Sequence, residues 1–431
     1  MANLPVRIIP RDEHPVSRKN ISPSALKVIY RLENSGFKAY LVGGCIRDLL
    51  LGIQPKDFDI ATDAHPEQVH KLFSNSRLIG RRFKLVHVLF GREMIEVATF
   101  RGSNESSAAQ QQTAEGMLTR DNVYGTIEED AIRRDFTANA LYYSATDFKI
   151  YDYCGALDDI QAKTLRLIGN PDERYREDPV RMLRAVRFAE KLDFEIEDLA
   201  EQKISELSHL MSHVAPARLF DEIIKLFVSG YGLQIFERLV ESGLFKAMFP
   251  VVEHAVNQNP EGYYLAFIKA ALTNTDKRIA QDKPITPAFL YASLLWPEVH
   301  RLWQQKMSEG LSEFPALQQA SHETIDIQLS SVMIPKRFIL MMREIWEMQI
   351  RLVKNNHRRA AQLVTHPRFR AGYDFLLLRE KAGEIEPGLG DWWTTYQAEN
   401  PMPAPNRNRA PGNKRPSARR RPSHKRNTKH P

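Results

Sequence analysis

The spacing of apolar residues changes character near residue 170. Before that point short apolar runs alternate with helix-period stretches; beyond it only the helix period persists. Ser22–Asn34 reads as a helix, with Ser22 as N-cap, Pro23 in the first turn, Leu26, Ile29, Tyr30 and Glu33 at helical spacing, and Gly36 as the stop. A strand over Lys38–Val42 runs into Gly43-Gly44, and a helix over Cys45–Leu51 ends at Gly52. Asp57–Ala61 reads as a strand and Pro66–Phe73 as a helix. Arg82–Phe90 and Glu93–Thr99 read as strands paired around Gly91-Arg92. Gly102–Gly116 lacks periodicity and is expected to be a mobile loop. Thr126 and Glu129 have the spacing of a capping box opening another helix. Tyr175–Leu192, Ala217–Val228, Leu233–Ser242 and Arg337–Val353 are the clearest later helices, with no internal repeat. The expected fold is therefore an α+β N-terminal domain, a small mixed sheet with helices, followed by an all-α body and a disordered basic tail. The expected boundaries are an irregular lead-in over 1–20, a head over 21–165, a helical neck over 166–250, a body over 251–398 and the tail over 399–431.

Charge sharpens this plan at one end. Pro401–Pro431 holds ten Lys/Arg and no Asp/Glu, so the 60 basic residues fall to 50 against 53 acidic ones once it is set aside. The tail carries the whole excess, as an electrostatic tether for a polyanion such as nucleic acid would; a solvated tail is the plainer reading. Two cysteines in 431 residues exclude a disulfide framework and a cysteine-rich zinc site. The histidines form no tight ligand set, so any metal is expected on oxygen ligands, which favours Mg²⁺ or Mn²⁺. No apolar run is long enough for a membrane span, and the first twenty residues lack a signal peptide's apolar stretch; the expected compartment is the cytoplasm. Nothing in the sequence demands a dimer, and a monomer is expected.

Five features carry candidate chemistry. Gly43-Gly44, after a strand and before a helix bearing Arg47 and Asp48, would let backbone N–H groups approach an anion, with Arg47 within reach of a phosphate; a tight turn with a surface ion pair is the plainer account. Asp57-Phe58-Asp59 would place two carboxylates on one strand face with Phe58 towards the core. Carboxylates at that spacing repel unless cations lie between them, and two divalent ions about 3.5–4 Å apart serve phosphoryl transfer. Glu96, between apolar Ile95 and Val97, projects from the opposite face as a third carboxylate or as the polar side of an amphipathic strand. Arg133-Arg134-Asp135-Phe136-Thr137, on the helix from Thr126, offers guanidinium groups for a triphosphate, with Asn139 a turn further along the same face. In the run from Arg174 to Arg184, Asp178 fits an N-cap and Pro179 the first helical position; Glu177, Asp178 and Arg181 could meet a base edge, or simply form a charged helix side.

Together LVGGCIRDLLLG, PKDFDIAT, IEVATFR, IEEDAIRRDFTANAL, YREDPVRMLRAVRFA and PARLFDEIIKL resemble, in order and spacing, the class II branch of the DNA polymerase β-like nucleotidyltransferases, over roughly residues 20–250. That branch contains bacterial poly(A) polymerases and CCA-adding tRNA nucleotidyltransferases. LIGRRFKLVHVLFG (Leu78–Gly91), MIPKR (Met333–Arg337) and the basic tail look like the poly(A) polymerase subgroup. The resemblance implies that Asp57 and Asp59 hold Mg²⁺, that Gly43, Gly44 and Arg47 contact the triphosphate, that Arg134 and Asn139 lie near the nucleotide, and that Glu177, Asp178 and Arg181 select the base. Asp135 ranks first as the third catalytic carboxylate, with Glu96 kept as a metal-site candidate. The implied reaction extends RNA 3′ ends by AMP from ATP, releasing pyrophosphate, and marks RNAs for decay. CCA addition to tRNA shares every catalytic motif and is the nearest alternative. A non-catalytic RNA-binding protein on the same scaffold would be expected to have lost part of DxD or EDxxR, and both are intact. Nucleotidyl transfer to a protein or antibiotic leaves the EDPVR helix and tail without a purpose.

Overall fold

A computed structural model describes residues 5–80, 84–102, 110–112, 118–121, 123–259, 262–354 and 357–400. The head contains strands β1 (Arg7–Ile9), β2 (Ala39–Val42), β3 (Asp59–Thr62), β4 (Ser76–Ile79), β5 (Leu85–Phe90), β6 (Glu93–Thr99), β7 (Gln110–Gln112), β8 (Leu118–Asp121), β9 (Leu141–Tyr143) and β10 (Ile150–Asp152). Its helices are α1 (Pro23–Asn34), α2 (Gly44–Leu50), α3 (Pro66–Leu72), α4 (Ile127–Arg133) and α5 (Ala156–Gln161). Eight strands form one mixed sheet in the order β1-β10-β9-β2-β3-β6-β5-β4, with β3 and β6 parallel and the other neighbours antiparallel.

Local chemistry explains several of these boundaries. The Ser22 hydroxyl accepts from the Ser24 and Ala25 amides and starts α1 ahead of Pro23. Thr126 and Glu129 cap α4 reciprocally, the Glu129 carboxylate accepting from the Thr126 amide at 2.8 Å. Other expectations need correction. Arg7–Ile9, in the lead-in read as irregular, is an edge strand paired with β10, and Ile9, Val16 and Ile21 are buried. Of the expected loop over 102–116, Gln110–Gln112 pairs with β8 and 103–109 and 113–116 lie outside the described residues. Residues 82–83 of the expected Arg82–Phe90 strand also lie outside them.

The neck follows as α6 (Pro171–Glu177), α7 (Val180–Leu192), α8 (Asp198–Leu207), α9 (Pro216–Phe227), α10 (Gly232–Glu241) and α11 (Leu244–Met248). The body contains α12 (Pro250–Asn257), α13 (Tyr263–Ala280), α14 (Pro287–Ser308), α15 (Glu313–Ser331), α16 (Lys336–Val353), α17 (His357–Val364), α18 (Phe369–Lys381) and α19 (Leu389–Glu399). One hydrophobic cluster runs from Ile9 in the head to Leu378 in the body, so head, neck and body share a continuous core. A smaller cluster around Trp393 closes the far end. Glu399, placed by the sequence at the start of the tail, is the last residue of α19, and 401–431 lie outside the described residues. Among the described residues no helix is long and apolar enough to cross a membrane.

Candidate active site

Strand register brings the head's acidic residues together. Val42, the last residue of β2, pairs with Asp59 at the start of β3, and Asp59 pairs with Glu96 in the middle of β6. The turn after Val42 is Gly43-Gly44, so the glycine turn and Asp59 share one end of β2 and β3, with Glu96 alongside on β6. Asp57 precedes β3 rather than lying on it, but the expected alternation holds: Phe58 is buried while Asp57 and Asp59 are exposed. Asp59 is exposed on one side yet surrounded by protein on the others. Its carboxyl is pushed up to about 6, by desolvation first and then by the charge of Glu96; Arg134 pulls the other way, and Asp57 adds a smaller push. Glu96 also stands 3.6 Å from His87 on β5.

Gly43 begins α2 with φ +80° and ψ −137°. That backbone region is costly for residues with a side chain, and a Cβ there would sit 3.5 Å from Arg134 Nη1 and 3.6 Å from the Asn139 carbonyl oxygen. The turn thus leaves room for Arg134 and the 137–139 turn to approach. Arg134 is fixed from behind, donating to the Tyr142 hydroxyl at 2.9 Å and to Asp130 at 3.0 Å, while Tyr142 itself donates to Asp130 at 2.6 Å. Arg47 is buried: it donates to the Asp48 carboxylate at 2.9 and 2.6 Å and to Asn139 Oδ1 at 2.5 Å. It therefore braces the glycine turn against the 137–139 turn.

The motif read as one helical face is broken. Helix α4 ends at Arg133, Arg134 is extended, and Thr137–Asn139 form a separate short 3-10 turn. Asp135 consequently points at the neck. One of its oxygens accepts from Arg184 at 2.5 and 2.7 Å, and the other accepts from the Phe136 amide at 2.8 Å and from Asn139 at 3.2 Å. The Arg184 cation and these hydrogen bonds outweigh burial and hold its carboxyl down at about 2. Asp135, first in the sequence ranking, is thus occupied in joining head to neck, whereas Glu96 stands beside Asp59.

Tyr175–Leu192 is likewise two helices rather than one. Asp178 precedes a proline, adopts φ −150° and ψ 92°, and separates α6 from α7. Pro179 takes the N-cap position that the sequence reading gave to Asp178. The Asp178 carboxylate instead accepts both Arg218 donors at 2.7 Å each, a bidentate clamp from the first turn of α9. Glu177 accepts from Arg174 at 2.7 Å and from Arg181 at 2.8 Å, and Arg174 also donates to the Arg133 and Arg134 carbonyls. The neck trio is thereby tied to the head's Arg134-Asp135 segment. Arg218, Arg174, Arg184, Asp130 and Tyr142 were not singled out as site residues. Arg218, Arg184 and Asp130 lie inside the quoted motifs and Arg174 opens the Arg174–Arg184 run, where their charges were the available signal; Tyr142 directly follows a quoted motif and carries no charge to mark it.

The donor set suits a hard divalent cation. Among the described residues no three His, Cys, Asp or Glu side chains form a preformed metal cage. A converging carboxylate pair does not need one for Mg²⁺, which keeps several waters and commonly takes one or two carboxylates plus substrate phosphates. Cys45, buried beside Asp59, is unsuited as a ligand, because burial pushes its thiol up to about 12.

A sheet carrying a glycine turn and converging carboxylates, joined to a helical neck that holds a second set of charged groups, defines a nucleotidyltransferase of the polymerase β-like class. A family model described as the poly A polymerase head domain matches residues 39–166. One described as a probable RNA and SrmB-binding site of polymerase A matches 193–256, and one for the arginine-rich C-terminus of polymerase A matches 309–428. Poly(A) polymerase I of Salmonella typhi is 47% identical over 422 residues, covering 93% of this chain and 90% of its own. A CCA-adding enzyme of Lactobacillus helveticus is 37% identical over 222 residues, covering only 51% of this chain and 53% of its own. Among solved structures, the Bacillus stearothermophilus CCA-adding enzyme in complex with CTP aligns with TM-score 0.58 and 25% identity over 89% of this chain and 84% of that one. The chain belongs to the poly(A) polymerase family.

Proposed function

We propose that this enzyme extends RNA 3′ ends without a template, transferring AMP from ATP to the terminal hydroxyl and releasing pyrophosphate. The observation that carries this reading is the register that sets Asp59 against Glu96 beside the Gly43-Gly44 turn, with Asp57 adding to the same negative field. Asp57 and Asp59 would hold Mg²⁺, with Glu96 as the adjoining carboxylate. When bound, the ion favours ionisation of the attacking 3′-hydroxyl and neutralises charge on the departing pyrophosphate. The 3′-oxygen forms its bond to the α-phosphorus as the bond to the β-phosphate bridging oxygen breaks, and the hydroxyl proton leaves to solvent. The Gly44 amide and Arg134 would face the triphosphate, the Gly43 amide being spent on the Leu141 carbonyl at 3.1 Å, while Arg47 and Asn139 hold that surface in place.

Base choice would fall to the neck. An ionised carboxylate only accepts, so Asp178 suits the exocyclic amine of adenine and disfavours a carbonyl edge, while Arg181 can only donate. Arg218 positions Asp178. Arg218→Ala should therefore lower the preference for ATP over GTP and UTP, measured as the ratio of kcat/KM values, by roughly tenfold, with Arg218→Lys recovering part of it. An unchanged ratio would assign Arg218 to packing alone.

The reading is tested on an unstructured RNA supplied with one nucleotide at a time. The expected product is a long ladder with ATP alone. Arrest after three additions that require both CTP and ATP would point to CCA synthesis instead.

A further inference from the structure

The body has its own concentration of positive charge, well separated in sequence from the head and neck residues above. Between α13, the turn that follows it and α18 lies a groove of about 370 Å³ whose rim carries Lys277, Arg278, Lys283, Arg370 and Lys381, with Asp374 as its carboxylate. Asp374 is taken by Arg370, which donates to it at 3.2 Å. Arg278 donates to the Pro284 carbonyl and shares the field of Asp374 with Arg370, so one carboxylate faces two guanidinium groups. Lys277, Lys283 and Lys381 are exposed and have no carboxylate partner among the described residues. Other surface cations of the body do have such a partner, among them Lys306 with Glu323, Lys354 with Glu313 and Arg368 with Glu344.

A second cavity of about 230 Å³ adjoins the groove and shares Asn274, Arg278, Arg370 and Asp374 with it. Its floor is apolar, formed by Ile285, Phe289 and Met341. Unneutralised cations tracking a groove beside an apolar slot suit one kind of polymer: phosphates meet the lysines while a base leaves water against the apolar surface. The α13 side of the groove falls within 257–308, which none of the three matching family models covers.

We infer that this groove binds the phosphate backbone of single-stranded RNA upstream of the reacting 3′ end, as a second contact on the same strand. The inference rests on RNA being the substrate, and it adds that long RNAs are held at two places. Two linked contacts raise the affinity for RNAs long enough to span both and leave short ones unaffected.

The test compares the full chain with Lys277→Glu/Lys283→Glu/Lys381→Glu, and with the milder Lys→Gln set at the same positions to guard against misfolding. Anisotropy of end-labelled RNAs of about 6 and about 30 nucleotides is followed over a salt series, alongside AMP incorporation into the short RNA. Removing three phosphate contacts should lower the slope of log K against log salt by about 2 for the long RNA and weaken its binding at least about tenfold. Short-RNA affinity and incorporation should stay at wild-type levels. Unchanged long-RNA affinity and slope would overturn the inference, as would loss of binding to an acidic peptide with RNA binding intact, which would mark a protein-docking face. Failure of the polymerase reading itself would look different: the wild-type chain would incorporate no AMP, while the binding comparison would still report on the groove.

Discussion

Replacing Asp59 with alanine should lower nucleotide incorporation by about three orders of magnitude or more, equivalent to some 4 kcal/mol or more of transition-state stabilisation, and Asp57→Ala should do the same. RNA affinity should remain within about twofold of wild type, because RNA would be held chiefly by cations of the neck, body and tail. Stability should respond in the opposite direction. In the metal-free protein the Asp59 carboxyl lies at about 6, above its ordinary 3.8, because burial and Glu96 penalise its charge. The folded state then binds the extra proton, and stability falls as pH rises from about 4 to 6. Asp59→Asn removes that penalty, so the variant should unfold at the same or a higher Tm at pH 7 without divalent ion, with the advantage gone below pH 4. Retained incorporation in either alanine variant would remove the pair from the metal site.

The second large effect separates Glu96 from Asp135. Asp135 is held at about 2 by Arg184 and two hydrogen-bond donors, so its contribution to stability is present above about pH 4 and disappears as pH falls towards 2. Asp135→Asn should therefore cost about 2 kcal/mol at neutral pH, read as a lower denaturation midpoint, and leave the divalent-ion requirement unchanged. Activity would fall with it, because Arg184 and the neck would lose their hold on the head. Glu96→Gln should do the reverse: Tm the same or higher, because the repulsion on Asp59 is relieved, and the Mg²⁺ concentration for half-maximal rate raised about tenfold. If Asp135→Asn shifted the ion requirement and Glu96→Gln did not, the ranking read from the sequence would stand and the geometric one would fall.

These two carboxylates mark where the sequence could be followed and where it could not. Capped elements were legible: Ser22-Pro23 and Thr126-x-x-Glu129 each begin the helix they announce, because the capping atoms lie within three residues of one another. The alternation of Asp57, Phe58 and Asp59 and of Ile95, Glu96 and Val97 gave the faces correctly. What spacing could not supply was register between strands 37 residues apart, and it is register that sets Asp59 against Glu96. The two breaks had different causes. Pro179 was visible and was read as a helix start, but its steric demand on Asp178 ended one helix before the next began. The extended conformation at Arg134 has no proline or glycine to announce it; its own bonds to Asp130 and Tyr142, and that of the next residue, Asp135, to Arg184 go with it. Arg218 was hidden differently, 40 residues from the carboxylate it clamps. Edge strands β1 and β4 are short and largely exposed, so their residues carry little of the alternation that identifies a strand.

The central claim is that Asp57 and Asp59 hold a divalent cation against the triphosphate of an ATP whose adenine is read by the neck. The most direct measurement is a crystal structure of the full chain with Mg²⁺ and a non-hydrolysable ATP analogue. The account predicts a cation about 2.0–2.1 Å from carboxylate oxygens of both aspartates, phosphates against the Gly43-Gly44 turn, and the adenine edge at Asp178 and Arg181. A nucleotide bound elsewhere, or a triphosphate in this cleft whose cation is ligated by Asp135 and not by the pair, would contradict it.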